Sequence, residues 1–271
     1  MTATSADPDD SAALFIPDGD RFMPTEWARG PWSPMALHGG PVAALVTRAT
    51  ELHAGHDELQ LVRVTLELLR PVPLSLLSVK STLARPGRKV QIIDTVVEAD
   101  GVEVAWSRAL RIRVAPGQDS PEPTVPEDDA PLSVEHGFTS PSAIDAYRAF
   151  HNQGIEIRYV KGRFDQPGPA TAWFRLRCPV VLGEAPTGWQ RAAAAADFGN
   201  GVAAELAFGS GTFINPDLTI SIHRPPVGEW VCLDARTRFG TPGIGAAESE
   251  LWDGQGRIGR AVQSLLVEVA R

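Results

Sequence analysis

Two stretches of the chain alternate apolar and polar side chains with a period of two. In VRVTLELL, residues 62–69, Val62, Val64, Leu66 and Leu68 alternate with Arg63, Thr65 and Glu67. In LTISIH, residues 218–223, Leu218, Ile220 and Ile222 alternate with Thr219, Ser221 and His223. Such a period sends every second side chain to the same face, so each stretch predicts a strand with one buried face. Each run stops at an Arg-Pro pair, Arg70-Pro71 and Arg224-Pro225, where proline has no amide to give to a ladder. The two runs lie 219 − 65 = 154 residues apart. The pairs Asp100-Gly101 and Asp253-Gly254, flanked by strand-like sequence and suited to hairpin turns, lie 253 − 100 = 153 residues apart. Two landmarks that keep nearly one spacing predict an internal repeat.

Ahead of each strand run the period changes to that of a helix. In HGGPVAALVTRATEL, residues 38–52, Val42, Leu45, Val46, Ala49 and Leu52 share one helical face. Gly40 is a tolerable cap and Pro41 suits the first helical turn. In WQRAAAAADFGNG, residues 189–201, the alanine run favours a helix and Gly199-Asn200-Gly201 stops it. A further strand is expected at ATAWFRLRCPVV, residues 170–181. Between the halves, residues 116–135 are rich in Pro, acid and Ser, without an apolar period, and read as a linker. The expected organisation is α+β: a first unit at 14–115, a linker at 116–139 and a second unit at 140–271, each an antiparallel sheet wrapped around one long helix.

Composition narrows the functions open to this fold. The chain has 271 residues, 43% of them hydrophobic, and a net charge of −8. That charge argues against a nucleic-acid surface, which needs clustered Lys and Arg. Two cysteines, Cys178 and Cys232, with no histidine spaced to complete a zinc set, read as reduced core residues. No apolar run approaches the roughly 18 residues of a membrane span. The polar, acidic opening MTATSADPDDSA is unlike a signal peptide, so a cytoplasmic protein is expected. There is no Gly-x-Ser-x-Gly elbow, dinucleotide fingerprint, phosphate loop or His-Glu-x-x-His pair.

GPWSPMALHGGPVAALVTRA, the two strand-Arg-Pro segments, AAAADFGNG, NPDLTISIHRP and the closing GRAVQSLLVEVA together resemble the acyl-CoA thioesterase II type, the double-hotdog thioesterases. The resemblance rests on the order and spacing of these segments, over about residues 14–115 and 140–271. It implies two tandem hotdog units and hydrolysis of a fatty or related acyl-CoA. It implies no metal and no cofactor, CoA entering only as part of the substrate, and a homo-oligomer. It also implies a catalytic trio. The helix carboxylate becomes Asp197 and the last-strand amide Gln263. The position that is commonly Thr is Asn215, which can orient a water or a carbonyl but lacks the hydroxyl.

Each candidate has a plainer reading. Asp197 lies near the end of its helix, where the dipole disfavours a carboxylate, and Ala-rich surroundings would desolvate it; both push its pKa upward. The plainer Asp197 is a solvated cap. Gln263 is in phase with Leu265 and Val267, so its amide needs buried partners, catalytic or backbone. Asn215 before Pro216 is ordinary turn chemistry. His38-Gly39-Gly40 opens the first helix, where bare amides can polarise a carbonyl, Gly40 being the candidate donor; His38 itself reads more simply as a loop histidine. Arg70 and Arg224 could meet CoA phosphates or be solvated strand ends. Trp27 and Trp32 could line an acyl tunnel or pack in the core. The acyl chain is expected between the two helices. A non-catalytic acyl-thioester-binding protein and a hotdog hydratase or dehydratase are the alternative functions.

Overall fold

The structure, a computed structural model, describes residues 12–53, 58–115, 117, 130–140, 147–206 and 210–269. The first half runs β1 (Phe15–Asp18), β2 (Arg21–Pro24), α1 (Gly39–Leu52), β3 (Leu59–Leu68), β4 (Leu77–Arg85), β5 (Val90–Ala99) and β6 (Val102–Arg113). The second runs β7 (Ile155–Arg163), β8 (Gln166–Leu176), α2 (Gly188–Ala196), α3 (Gly199–Val202), β9 (Gly211–Ile214), β10 (Asp217–Ile222), β11 (Trp230–Phe239), β12 (Ile244–Asp253) and β13 (Gly256–Val269). All strand pairs are antiparallel, in the order β1-β2-β4-β5-β6-β3-β10-β13-β12-β11-β8-β7, with β9 added on β13.

Read from its centre outward, the sheet repeats itself: β3, β6, β5 and β4 on one side correspond to β10, β13, β12 and β11 on the other. The centre is the pairing of the two alternating runs. Thr65 faces Thr219, with their hydroxyl oxygens 3.2 Å apart. The 154-residue echo of the sequence is therefore the approximate two-fold of a double hotdog. Alternation works as expected on β5, where every second residue is buried. Asp100 and Gly101 take the left-handed backbone of the hairpin turn, with φ 50° and 76°. The second hairpin differs: β12 runs on through Asp253 and the turn is Gly254-Gln255. The Asp253 carboxylate accepts two bonds from Arg224, at 2.7 and 2.8 Å, and the amides of Val227 and Gln255. Arg224 is thereby committed to a turn rather than to a phosphate.

The alanine run lets α2 lie directly against α1. A Cβ on Gly40 would sit 2.5 Å from the carbonyl oxygen of Ala194, so no acyl chain passes between the helices at that point, contrary to expectation. The strand expected at 170–181 is β8, which starts at Gln166 and ends at Leu176; beyond it the Pro179 and Val180 carbonyls accept the amides of Leu14 and Phe15. Within the expected linker, residues 130–139 are packed on the second half: Trp173 donates to the Leu132 carbonyl at 2.8 Å, and Phe138 bridges to Tyr159. Cys178 and Cys232 are free and buried. Among the described residues, no helix is long and apolar enough to cross a membrane. Nor does any group of three or more His, Cys, Asp and Glu side chains gather to hold a metal ion there.

Candidate active site

The end of α2 meets the beginning of α1. Asp197 caps α2 at its C-terminus, and its side chain is buried. The carboxylate lies against Gly39, the first residue of α1: a Cβ there would be 2.7 and 2.8 Å from its two oxygens. Only glycine allows that approach. Asp197 thus stands at the negative end of its own helix and at the positive end of the other.

Four donors converge on it. Asn215, between β9 and β10, donates from Nδ2 to Oδ1 at 2.8 Å. Gln263 on β13 is 1% exposed and lies behind the carboxylate, its Nε2 3.3 Å from Oδ1 and 3.2 Å from the Asp197 carbonyl. Its Oε1 accepts the amide of Asn200 at 3.2 Å. His38, the N-cap of α1, places Nδ1 2.8 Å from Oδ2 and 3.0 Å from the Gly40 nitrogen. One nitrogen cannot donate and accept at once. With the carboxylate ionised, the proton belongs on Nδ1, which donates to Asp197; the Gly40 amide then serves the same carboxylate. The imidazole is seated by rings, with centroids 4.6 Å from Phe198 and 5.3 Å from Phe150.

Burial alone would push the Asp197 pKa up. The hydrogen bond and charge of His38, with Asn215 and the Gly40 amide, outweigh it, and the carboxyl is held below its usual value. The upward shift expected from sequence is reversed because the compensating donors come from distant segments. Two further corrections follow. His38 is no bystander in a loop but joins the two helices. The Gly40 amide, given to Asp197, is not open to a ligand; Gly39, whose amide has no partner among the described residues, is the residue of the pair that lines the cavity.

That cavity is about 1090 Å³. His38, Gly39, Asp197 and Asn215 form part of its wall, and Val42, Leu68, Val72, Ile155, Ile157 and Phe198 make it apolar. Trp32 lines it, half exposed, its ring edge-on to Phe213 at 5.9 Å; Trp27 packs against the core instead. Arg70 lies on the wall with Arg148 and Arg177, whereas His223 is exposed. Sequence reasoning missed the Asn200 amide and the Phe150 and Phe198 seat. Asn200 was legible only as a helix stop, and nothing in the sequence near Phe150 pointed to the site.

Two family models match the chain in tandem: an acyl-CoA thioesterase N-terminal domain over residues 28–112 and an acyl-CoA thioesterase C-terminal domain over residues 123–267. Among solved structures, the chain is similar to a hot dog fold protein of unknown function from Alicyclobacillus acidocaldarius, with TM-score 0.73, 16% identity and coverage of 97% of this chain and 98% of that one. It is similar to a proposed thioesterase from Novosphingobium aromaticivorans, with TM-score 0.64, 23% identity and coverage of 93% and 98%. An acyl-CoA thioesterase II from Mycobacterium marinum matches with TM-score 0.64, 13% identity and coverage of 93% and 94%. No curated protein matches in sequence.

Proposed function

The chain belongs to the acyl-CoA thioesterase family, and on that premise we propose that it hydrolyses the thioester of a fatty or related acyl-CoA to free acid and CoA. The observation that carries the reading is the Asp197 carboxylate, buried, ionised and fixed in the wall of a largely apolar cavity.

In this reading the thioester carbonyl lies at the start of α1, its oxygen toward the Gly39 amide. A water held between Asp197 and Asn215 attacks the carbonyl carbon. As the new C–O bond forms, the carbonyl π electrons move to oxygen, where the Gly39 amide and the helix dipole stabilise the charge. The water proton passes to Asp197. Collapse restores the carbonyl, breaks the C–S bond and returns that proton to the departing thiolate. The low pKa makes Asp197 a transient proton carrier, and its donors spend their strength on orientation: Asn215 and Gln263 hold Oδ1, His38 holds Oδ2, and the Gly40 amide adds a further bond to the carboxylate. General-base assistance is typically worth 10²–10⁴-fold, and one oxyanion donor about 10²–10³-fold.

Asn215 in place of a hydroxyl keeps a second reading open, that of a protein which binds acyl thioesters without turnover. Incubation with a panel of acyl-CoAs, followed by assay of free thiol and analysis of the acyl product, tests the proposal. Stoichiometric thiol and free acid support hydrolysis. Binding without thiol release, or a hydrated chain still joined to CoA, sinks it.

A further inference from the structure

One polar group in the cavity wall has no part in the chemistry just described. β7 turns Ile155, Ile157 and Tyr159, alternate residues, to the inner face, and all three line the cavity. Ile155 follows Gly154, which packs on the Phe150 ring that seats His38. Two steps further along the strand, Tyr159 stands about 13 Å beyond Ile155 at some 3.3 Å per residue. Ile157, opposite Phe174 on β8, and Phe164 add apolar surface to this part of the wall, which Glu156 also lines. An extended chain advances about 3.5 Å per three bonds, so roughly eleven bonds cover the rise from Ile155 to Tyr159.

Tyr159 is 3% exposed as a residue and lines the cavity; among the described residues nothing hydrogen-bonds its hydroxyl, and that oxygen is not among the buried polar atoms left without a partner, so it keeps access to solvent. Its ring rests near Phe138, with centroids 6.2 Å apart, while its backbone, not its hydroxyl, is tied to Phe138 on the segment before β7. Burial and the negative charge of Asp165 hold the phenol's pKa above its usual value, so it remains a donor at any working pH.

We propose that Tyr159 selects acyl chains bearing a hydroxyl or oxo group near their distal end, by donating its phenolic hydrogen to that oxygen. This rests on the acyl-CoA reading of the cavity and adds a specificity determinant to it. A saturated chain of the same length would leave the phenol buried with no partner, the arrangement by which sites built for a polar substrate reject its apolar analogue.

Calorimetry with the non-hydrolysable thioethers S-decyl-CoA, S-(10-hydroxydecyl)-CoA and S-(3-hydroxydecyl)-CoA separates this proposal from the one it rests on. The wild type should bind the 10-hydroxy ligand about 2–10-fold more tightly than S-decyl-CoA, the ratio one net hydrogen bond carries. The 3-hydroxy ligand should show no such gain. Tyr159→Phe, which keeps the ring and its packing, should bring the 10-hydroxy ratio to unity or below, with S-decyl-CoA binding the variant at least as tightly as wild type because no phenol is left unpaired. Equal binding of all three by the wild type, or an unchanged ratio in the variant, overturns the selection by Tyr159 and leaves the acyl-CoA reading standing. A uniform loss across all three ligands in the variant places the phenol on the pantetheine arm and also overturns it. If none of the thioethers binds the wild type, both proposals fall.

Discussion

Nδ1 of His38 and Oδ2 of Asp197 lie 2.8 Å apart, joining the first turn of α1 to the last of α2. The pair draws on both halves of the repeat, so neither half holds this site alone. His38 also opposes the cost of burying the carboxylate. His38→Ala should therefore raise the Asp197 pKa and move the acid limb of the kcat/KM pH profile upward. The wild type should keep that limb below the usual carboxylate range. The same linkage acts on stability. A depressed native pKa contributes stability that is present above the unfolded value and lost as pH falls through the folded one. Denaturant midpoints should thus be lower in His38→Ala than in wild type near neutral pH, and should fall less than those of wild type as pH descends.

Gly39→Ala tests the close approach of α1 to the carboxylate. The new methyl would sit under 3 Å from both Asp197 oxygens, and four donors hold that group in place. Displacement by about 1 Å can cost some 10²-fold in rate. We expect kcat to fall by about that factor and the thermal midpoint to fall with it, because the displaced carboxylate weakens its buried hydrogen bonds. Gly240→Ala, where a Cβ meets nothing within 4 Å, should be neutral in both measurements.

Gln263→Leu removes an amide that satisfies the Asn200 nitrogen and the Asp197 carbonyl in the core. Leaving buried groups unpaired costs about 1–3 kcal/mol. Urea unfolding should show a loss of that order, with activity falling alongside as Oδ1 loses a donor.

The approximate two-fold has left a counterpart of the site at the other end of the helices. Glu51, in the last turn of α1, accepts from Thr187, the N-cap of α2, at 2.9 Å and from Gln190 at 3.0 Å. Here burial dominates and the Glu51 pKa is raised, despite those bonds and the charge of Arg111. An acid with a raised native pKa contributes stability that is full below the unfolded value and lost as pH rises through the folded one. Relative to wild type, Glu51→Gln should gain stability between pH 4 and pH 7, as read by urea midpoints at the two values.

The duplication was legible because strand period and turn chemistry are local. Thr65 and Thr219 announced it by their spacing, though only the structure pairs β3 with β10. Gln263 was legible as a polar residue on an apolar face, with Leu265 and Val267 as its in-phase neighbours, and the fold buries all three. The Asp197 pKa was misread because its own helix end and its apolar neighbours are local, whereas α1, Asn215 and Gln263 reach it from far along the chain. His38 looked idle for the same reason. The cavity's course was hidden too: a run of alanines signals that a helix packs closely, but not that the partner is another helix, which moves the space to β7 and the Trp32 loop.

The account's central claim is that the Asp197 carboxylate drives thioester hydrolysis. The most direct test is initial-rate release of free thiol from an acyl-CoA by wild type and Asp197→Asn, with S-decyl-CoA binding measured on both. The variant should lose about 10²–10⁴-fold in kcat and still bind the thioether within a few-fold of wild type. A variant that releases thiol at a rate within a few-fold of wild type would contradict the claim.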